Sequence, residues 1–431
     1  MEPPSAIRKG TIDLAAIVHI LRQRAAVRTL IGGNNRAMAD VFRALWLSRV
    51  AGDRSAEAEC LTQLSEVHAY SSQYDRMLEF SQAALELCRA TGDRIGESVN
   101  LNNIGYVHDC LGDYPLALEY YQRSLAIREQ IGDLVGQATS LNNIGVVQDI
   151  LGNRREALDY YNRSLPIYRQ IDDLPGEACC LHNLGFILKT DGNYAAALDR
   201  FGASLAIATQ VGDRWAQAYN LENIASIRTD FGDLELALQG LTRAARIRDE
   251  VGDQAGLAGD LCRISRVHLL QGALAPARES AARAEGINSE LGDPQIDLRV
   301  QVAFADLALT ERDLATAGER AARALAVTQE LGYKAGIADC RLLQAKVQTA
   351  AGQLDAAQRA FEQALAIYGE LKQPYDLATA SFEYGKMLMS AGGTGRAREL
   401  LNEASILFTG MKLNLRVAQI KSVLDHHSSV K

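Results

Sequence analysis

The chain is poor in residues that break helices and in residues that dominate β-sheets. Among its 431 residues there are 8 prolines, and aromatic residues make up 6%. Leu and Ala are abundant instead, so the composition excludes a β-sandwich and favours helices. No apolar run reaches about 18 residues, the length of a membrane span. Asp13 interrupts the only early apolar stretch, so we expect neither a signal peptide nor a membrane span.

Cysteine and basic charge are also scarce. The seven cysteines are odd in number, scattered and without a CxxC pair, which is typical of reduced thiols in a cytoplasmic protein rather than of disulfides or a zinc site. The 45 basic residues are outnumbered by 53 acidic ones, for a net charge of −8. Nucleic-acid binding needs a basic stripe, so nucleic acid is not expected as the main partner. We predict a cytoplasmic protein without cofactor or metal.

A regular spacing of glycines dominates what is present. Gly-Asp pairs stand at 52–53, 92–93, 132–133, 212–213, 252–253 and 292–293, and Asp172–Asp173 fills the gap in this 40-residue series. A second series of glycines lies halfway between them, for example at Gly112, Gly152 and Gly192. Glycine ends a helix in the left-handed conformation, and the Asp that follows caps the next helix. The spacing therefore predicts helices of about 16–18 residues, paired into antiparallel hairpins that must stack to bury their apolar faces.

The side chains inside each 40-residue unit also repeat. Leu101, Ile104 and Gly105 in the first helix return as similar residues 40 and 80 positions later. In the second helix, Ala117 and Tyr121 do the same. This pattern resembles the tetratricopeptide repeat motif, in which small residues let two helices approach and an aromatic ring fills the gap beside them. The resemblance implies an all-α, right-handed α-solenoid (superhelix) of about ten helical hairpins.

Two features depart from the usual tetratricopeptide motif: the unit has 40 residues rather than about 34, and a Gly-Asp stop replaces the closing proline. Longer units of this kind resemble the arrays of kinesin light chain, of Pins-type spindle-orientation scaffolds and of bacterial signalling proteins. We divide the chain into a flexible N-terminus (1–11), a diverged hairpin (12–52), nine repeats (53–412), a capping helix (413–425) and a disordered tail (426–431).

One stripe of the first helices stands opposite the buried side and, in the family, lines the concave groove. Asparagine occupies the centre of this stripe in four consecutive repeats, with apolar and aromatic residues between. An amide offers both a donor and an acceptor, so a column of amides can bind the backbone of an extended peptide. The predicted binding residues are Val99, Asn102, Asn103, Tyr106, Asp109, Asn142, Asn143, Val146, Asp149, His182, Asn183, Phe186, Lys189, Glu222 and Asn223.

The same asparagines have a purely structural interpretation, in which each amide bonds to the neighbouring repeat and stiffens the stack. The sequence leaves both interpretations open. No HExxH motif, strand-borne GxGxxG motif or catalytic triad is present, so we predict a protein that is not an enzyme. We predict a protein–protein interaction scaffold that binds a peptide or helical segment in its groove. The alternatives are a peptide-sensing regulator acting on a separate output protein, and self-association through the terminal repeats.

Overall fold

A computed structural model describes residues 13–30, 34–69, 71, 73–393 and 395–428 of the chain. These residues form 21 α-helices and no strand. The helices are α1 (Leu14–Leu30), α2 (Asn34–Ala51), α3 (Arg54–Ala69), α4 (Tyr74–Thr91), α5 (Arg94–Cys110), α6 (Tyr114–Ile131), α7 (Leu134–Ile150), α8 (Arg154–Gln170), α9 (Leu174–Thr190), α10 (Tyr194–Val211), α11 (Arg214–Phe231), α12 (Leu234–Val251), α13 (Gln254–Leu270), α14 (Leu274–Leu291), α15 (Pro294–Thr310), α16 (Leu314–Glu330), α17 (Lys334–Ala350), α18 (Leu354–Glu370), α19 (Pro374–Ser390), α20 (Gly395–Gly410) and α21 (Asn414–Ser428).

Consecutive helices pair into ten hairpins, from α1 with α2 to α19 with α20, and α21 follows the last hairpin. The predicted all-helical solenoid of about ten hairpins is confirmed. The chain also divides into two compact units, one ending at Gly176 and the other beginning at Glu177, inside α9. We call them unit 1 and unit 2. Nothing in the 40-residue spacing marks this division.

The turns form as the glycine spacing predicts. Gly92 ends α4 with a φ of 72°, in the left-handed region. Asp93 then begins the next helix, its carboxylate accepting a hydrogen bond from the backbone N–H of Gly96 at 2.9 Å. Gly132 and Asp133 repeat this geometry 40 residues later. Each turn therefore both ends one helix and caps the next, which keeps the helix lengths nearly constant.

Within a hairpin, the glycine of the first helix contacts the aromatic ring of the second. A Cβ atom placed on Gly105 would lie 2.8 Å from the ring of Tyr121, which is fully buried. The same relation joins Gly145 to Tyr161, at 2.7 Å. Any side chain at these glycines would displace the ring. The small residue is thus required by the close approach of the two helices, as the motif predicts.

The helices at the two ends of the array can be compared with the segments predicted from the sequence. The diverged N-terminal hairpin corresponds to α1 and α2, whereas residues 1–11 lie outside the described residues. After the last hairpin, Leu413 and Ile420 are buried against Phe408, as in a capping helix. This helix continues to Ser428, past the start of the tail predicted from residue 426, and residues 429–431 lie outside the described part.

Unit 2 closes on itself. The ring of Tyr194, at the start of α10, lies 6.2 Å from that of Tyr375 in α19 and 5.9 Å from that of Phe231. A Cβ atom on Gly192 would lie 2.7 Å from Cγ of Met411, so the turn before α10 contacts the segment after α20. We call this contact between early and late hairpins of unit 2 the seam. It belongs to one apolar cluster that also contains Phe408 and residues of α21.

Candidate functional site

The first helices of successive hairpins form the layer that carries the candidate site. In unit 1, α1 contacts α3, α3 contacts α5, and α5 contacts α7, although a second helix lies between each pair in sequence. In unit 2, α13, α15, α17 and α19 make the same successive contacts. We call the stripe of first-helix side chains opposite the hairpin core the inner face. The predicted binding residues all lie on the first helices α5, α7, α9 and α11.

On α5 the predicted residues share one half-buried surface. Val99, Asn102, Asn103 and Asp109 are half-buried, and Tyr106 is 40% exposed. The Nδ2 atom of Asn103 is buried and has no hydrogen-bond acceptor among the described residues. A buried donor without an acceptor costs free energy, so this amide is suited to bind an acceptor from outside the chain.

The predicted residues of α7 lie beside those of α5. Asn142 is buried, with 8% of its surface exposed, whereas Asn143, Val146 and Asp149 are half-buried. Nδ2 of Asn143 approaches Oδ1 of Asn102 at 3.4 Å, near the upper limit of a hydrogen bond. The amide column of unit 1 is therefore partly linked from repeat to repeat and remains accessible between its side chains.

In unit 2 the predicted residues of α9 are more heavily engaged. Phe186 is 46% exposed. Nδ1 of His182 lies 3.1 Å from Oδ1 of Asn220, and burial lowers the pKa of this histidine. Nζ of Lys189 donates to Oδ1 of Asn223 at 3.2 Å. Asn183 is half-buried, its Nδ2 atom 3.9 Å from Sγ of Cys179.

Glu222, on α11, is held by arginines rather than left for a ligand. Its carboxylate accepts from Nη2 of Arg248 at 2.5 Å and from Nη2 of Arg263 at 2.6 Å. Asn223, besides accepting from Lys189, donates to the backbone carbonyl of Tyr219 at 3.0 Å. The four-asparagine column is thus a mixed set, with its least satisfied member at Asn103.

Two buried asparagines that sequence reasoning missed join the repeats. Nδ2 of Asn100 donates to Oγ1 of Thr62, in the preceding hairpin, at 2.9 Å. Nδ2 of Asn220 donates to Oγ of Ser204 at 2.9 Å. Both amides are fully buried and lie three repeats apart at the same position of the unit. That spacing was the available signal, and these two residues join neighbouring hairpins in the way that the structural interpretation describes.

A cavity also extends the inner face of unit 1 toward the N-terminus. It has a volume of about 390 Å³ and lies between α1, α3 and α5. Gln63, one of its lining residues, occupies the same repeat position as Asn103, and its buried Oε1 atom has no donor within the part of the chain that the structure describes. Arg22 and Glu59, also in the lining, form an ion pair. The asparagine series begins at Asn103, whereas the series of amide side chains begins one repeat earlier, at Gln63.

Charged side chains converge on the inner face of unit 2. Asp376 faces Asp339 and Asp230, and burial together with these two carboxylates raises its pKa to about 7. Lys189 and Arg266 oppose that rise. We call these five residues the charged centre. Each comes from a different first helix, so sequence inspection shows only isolated charges.

In the described part of the chain, no cluster of three His, Cys, Asp or Glu side chains has the arrangement needed to hold a metal ion. None of the helices between Leu14 and Ser428 is long and apolar enough to cross a membrane.

Several solved structures share this architecture. The apo form of the quorum sensor NprR from B. thuringiensis matches with a TM-score of 0.63 at 11% identity, covering 82% of this chain and 99% of that one. Aspartyl phosphate phosphatase F from Bacillus subtilis gives 0.57 at 14%, covering 86% and 98%. The Rap conjugation gene regulator of plasmid pLS20, in complex with the Phr* peptide, gives 0.55 at 14%, covering 82% and 96%. At these identities the similarity establishes the fold.

The comparison of sequences is narrower. No significant match is found among curated proteins. The tetratricopeptide repeat family model matches residues 56–130, 101–170 and 136–210. These matches overlap, and they cover α3 to α10 almost completely. Residues 56–210 are therefore tetratricopeptide repeats, and the hairpins on either side of them have the same helical design.

Proposed function

We propose that the chain is a protein–protein interaction scaffold that binds a peptide or helical segment of a partner on its inner face. The observation that carries this proposal is the amide of Asn103 beside the exposed ring of Tyr106, because its buried donor has no acceptor from any residue that the structure describes. A peptide backbone supplies carbonyl acceptors at regular intervals, and an aromatic ring gives its side chains an apolar contact. Tetratricopeptide arrays are suited to this role because stacking creates an extended surface.

The proposed binding surface in unit 1 runs from the cavity beside Gln63, across Asn102 and Asn103, to Asn143 and Asp149. In unit 2 the proposed contacts are His182, Asn183, Phe186, Lys189, Glu222 and Asn223. We propose that unit 1 binds most of the peptide backbone, because amides of unit 2 already form hydrogen bonds within the chain.

A peptide-sensing regulator that acts on a separate output protein is the second candidate. It is favoured by the similarity in fold to the quorum sensor NprR and to the Rap regulator whose structure contains the Phr* peptide. In that case the seam of unit 2 provides a contact that a bound peptide can strengthen or weaken. The two candidates share the binding step and differ in whether binding changes a second protein.

We further infer that the chain catalyses no reaction and that its partner is a protein in the cytoplasm, rather than nucleic acid or membrane. An all-helical repeat fold is typical of non-enzymatic scaffolds, and the similarity to phosphatase F at 14% identity extends to the fold alone. The net charge of −8 disfavours phosphate backbones and anionic lipids. Self-association through the terminal hairpins remains a separate proposal, which light scattering across a concentration series tests.

Binding is tested with peptides that are selected from a random display library because they bind the full chain. We expect the triple variant Asn103→Ala, Asn143→Ala, Asn183→Ala to bind a selected peptide at least about tenfold more weakly, because each lost hydrogen bond contributes roughly 1 kcal/mol. Its melting temperature should stay close to that of the wild type. Isothermal titration calorimetry and circular dichroism measure the two quantities.

Two single variants make the result interpretable. Asn162→Ala changes an exposed asparagine on the second helix α8 and should alter neither binding nor melting. Asn100→Ala removes a buried amide that joins two hairpins and should lower the melting temperature. If the triple variant behaves like Asn100→Ala, the column is structural and the proposal is wrong.

A further inference from the structure

The cavity between α1, α3 and α5 is large enough to hold a small molecule, and we call it the unit 1 cavity. Its volume of about 390 Å³ lies within the range of roughly 300–1,000 Å³ that is typical of ligand pockets. Its walls come from three successive first helices and from Cys88 and Asp93 beside them. The chemistry of a ligand that fits this cavity follows from the groups that line it.

Two acceptors on one side of α3 line the cavity and lack a donor. Oε1 of Gln63 is buried and receives no hydrogen bond from a described residue, although Nε2 of the same side chain donates to the carbonyl of Arg22 at 2.9 Å. Glu66, three residues later, forms no hydrogen bond or ion pair with any residue that the structure describes. Desolvation by the surrounding protein raises the pKa of Glu66, and the charge of Arg22 opposes this rise. An ammonium group satisfies both acceptors, because it has three N–H donors and a positive charge.

The wall formed by α1 contributes a donor without an acceptor. Arg22 forms an ion pair with Glu59 through Nη1, whereas its Nε atom is buried and has no acceptor among the described residues. An unsatisfied N–H of a guanidinium group is stabilised by a carbonyl or carboxylate oxygen. Because Nε of Arg22 and Oε1 of Gln63 are both buried, a small rotation of each side chain has to accompany binding.

The rest of the lining is largely apolar. Ala26 from α1 and Ile95 and Val99 from α5 belong to it, and the side chain of Ile95 is 63% exposed. An aliphatic side chain of a ligand would remove this surface from water, which favours binding. An ammonium group, a carbonyl oxygen and an apolar side chain on one carbon atom are together the features of an amino acid.

The repeat pattern does not account for the carboxylate in this cavity. Glu66 occupies the position that holds Tyr106, Val146 and Phe186 in the next three repeats. An unpaired carboxylate between helices is desolvated, and this costs free energy unless a cation lies beside it. The departure from the pattern therefore favours a role for Glu66 in binding a cation.

We propose that the unit 1 cavity binds an amino-acid residue that has a free α-ammonium group and an apolar side chain. The ammonium group donates to Gln63 and Glu66, and a carbonyl or carboxylate oxygen accepts from Nε of Arg22. The apolar side chain contacts Ile95 and Val99. Two sources supply this chemistry, a free amino acid and the N-terminal residue of a peptide, and only the second of them rests on the proposed function.

Isothermal titration calorimetry on the full chain, with L-leucine as the probe, tests the chemistry of the site. We expect saturable binding of leucine. N-acetyl-leucine lacks the ammonium group and should bind at least about tenfold more weakly, since hydrogen bonds to charged groups are lost. Leucinamide keeps the ammonium group and a carbonyl oxygen and should bind, whereas isoamylamine has no carbonyl oxygen and should bind more weakly than leucinamide. Equal binding of leucine and N-acetyl-leucine overturns the proposal.

Variants of the lining residues locate the binding. Glu66→Gln keeps the shape and removes the charge, and it should weaken leucine binding at least about tenfold while the circular dichroism spectrum stays unchanged. The matched control Glu86→Gln removes the same charge from an exposed position of α4 and should leave binding unchanged. Arg22→Lys keeps the positive charge beside Glu59 but loses the Nε donor. It should weaken the binding of leucine more than that of isoamylamine, a difference that misfolding would not produce. Equal losses in Glu66→Gln and Glu86→Gln would show that the cavity is not the site.

A hexapeptide that begins with leucine, in free and N-acetylated forms, distinguishes the two sources. If the free peptide binds more tightly than leucine and loses this binding on acetylation and in Glu66→Gln, the site belongs to a peptide N-terminus. If leucine binds as tightly as the peptide or more tightly, the ligand is a free amino acid. If neither leucine nor the free peptide binds in a way that depends on Glu66, the proposal is wrong.

The same measurements separate this site from the proposed function. If the cavity binds neither probe but selected peptides bind the chain and depend on the asparagine column, the amino-acid site is wrong and peptide binding stands. If leucine binds in the cavity and no selected peptide binds the chain, the site stands and the peptide-binding function is wrong.

Discussion

Units 1 and 2 are built from the same hairpin and have different inner faces. At one position of the repeat, unit 1 carries Asn103 and Asn143. Unit 2 continues this series with Asn183 and Asn223 and then changes to Arg263. At the position three residues later, Tyr106 of unit 1 corresponds to Arg266 of unit 2. Unit 1 therefore presents amides and apolar groups, and unit 2 gathers charges of both signs.

The difference shows that the core and the inner face of a helical repeat are under separate constraints. Gly105 and its ring partner Tyr121 are fixed by the close approach of two helices. Inner-face residues meet side chains of neighbouring hairpins, as Asn143 meets Asn102 and Lys189 meets Asn223, so their chemistry is free to change along the array. Closure is the second difference, because the seam joins early and late hairpins within unit 2.

Removal of the last helix should have the largest effect, and it tests whether the seam stabilises unit 2 and not unit 1. A chain ending at Lys412 lacks Leu413 and Ile420, both buried in the apolar cluster of the seam. We expect the free energy of unfolding of unit 2 to fall by about 5 kcal/mol or more, because two large side chains are lost and Phe408 is uncovered. Hydrogen exchange followed by mass spectrometry measures this for α19 and α20.

Unit 1 provides the internal comparison for that experiment, and its exchange rates should not change. A chain ending at Asp425 serves as the control, since it keeps both buried residues. If α10 and α11 exchange at wild-type rates after truncation at Lys412, the seam contributes no stability and the distinction between the units reduces to charge.

Two buried arginines at the same repeat position sharpen the electrostatic part of the comparison. Arg128 in unit 1 donates to the carbonyl of Gly136 and to Oγ of Ser140, both at 2.8 Å, and burial lowers its pKa. For Arg248 in unit 2, burial acts in the same direction, but Asp260 and Glu222 raise its pKa overall. The first arginine thus donates hydrogen bonds to neutral groups and has one carboxylate, that of Asp133, 3.8 Å away, whereas the second is ion-paired with several carboxylates.

Replacement by methionine should separate the two environments. Arg248→Met leaves buried carboxylates without their counter-ion, which we expect to cost roughly 3–5 kcal/mol of unfolding free energy. Arg128→Met loses hydrogen bonds to neutral groups and should cost about 1–3 kcal/mol. Exchange rates of α7 and α13 report the two losses locally. Equal losses of unfolding free energy would contradict the conclusion that Arg248 is held by several ion pairs and Arg128 by hydrogen bonds to neutral groups.

The pH dependence of stability gives the smallest of these effects. Burial raises the pKa of Asp260 to about 7, from an unfolded value near 3.9. The native state therefore holds this proton more tightly than the unfolded state does. The stabilisation is complete below about pH 4 and is lost as the pH rises through 7, so unit 2 should be more stable at about pH 5.5 than at about pH 7.5, by roughly 1–2 kcal/mol.

Asp260→Asn keeps the shape and removes the titration, so the contribution of Asp260, roughly 1–2 kcal/mol, should disappear. Asp376, whose pKa is also raised to about 7, makes a separate contribution of similar size that should remain. Asp249→Asn, at an exposed position of α12, is the control and should leave the wild-type pH dependence. Thermal unfolding across the pH range measures all three proteins. If the stability of Asp260→Asn has the same pH dependence as that of the wild type, the prediction of a raised pKa at Asp260 is wrong.

Much of the fold follows from the sequence because the determining interactions are local. Gly92 and Asp93 end one helix and cap the next within a few residues, and Tyr121 meets Gly105 inside one hairpin. Such contacts repeat with the sequence, so their spacing is visible in it. Even the arginine at residue 248 has a local signature, since Gly256 provides the space for its side chain.

The candidate site was only partly predictable. The inner-face position of Asn103 follows from helical periodicity, but the lack of a partner for its donor depends on every neighbouring helix. Helical periodicity also did not distinguish the half-buried Asn103 from the buried Asn100, which bonds to the preceding hairpin. The peptide-binding role of the column stays a prediction.

The sequence by itself determined the helices, their lengths, the hairpins and the small-residue contacts, because each of these is settled by residues less than 40 positions apart. Only the tertiary structure decided that Tyr194 meets Tyr375 and that unit 2 closes. These contacts depend on small rotations that add up from hairpin to hairpin. No single repeat contains that sum, so no local pattern in the sequence records it.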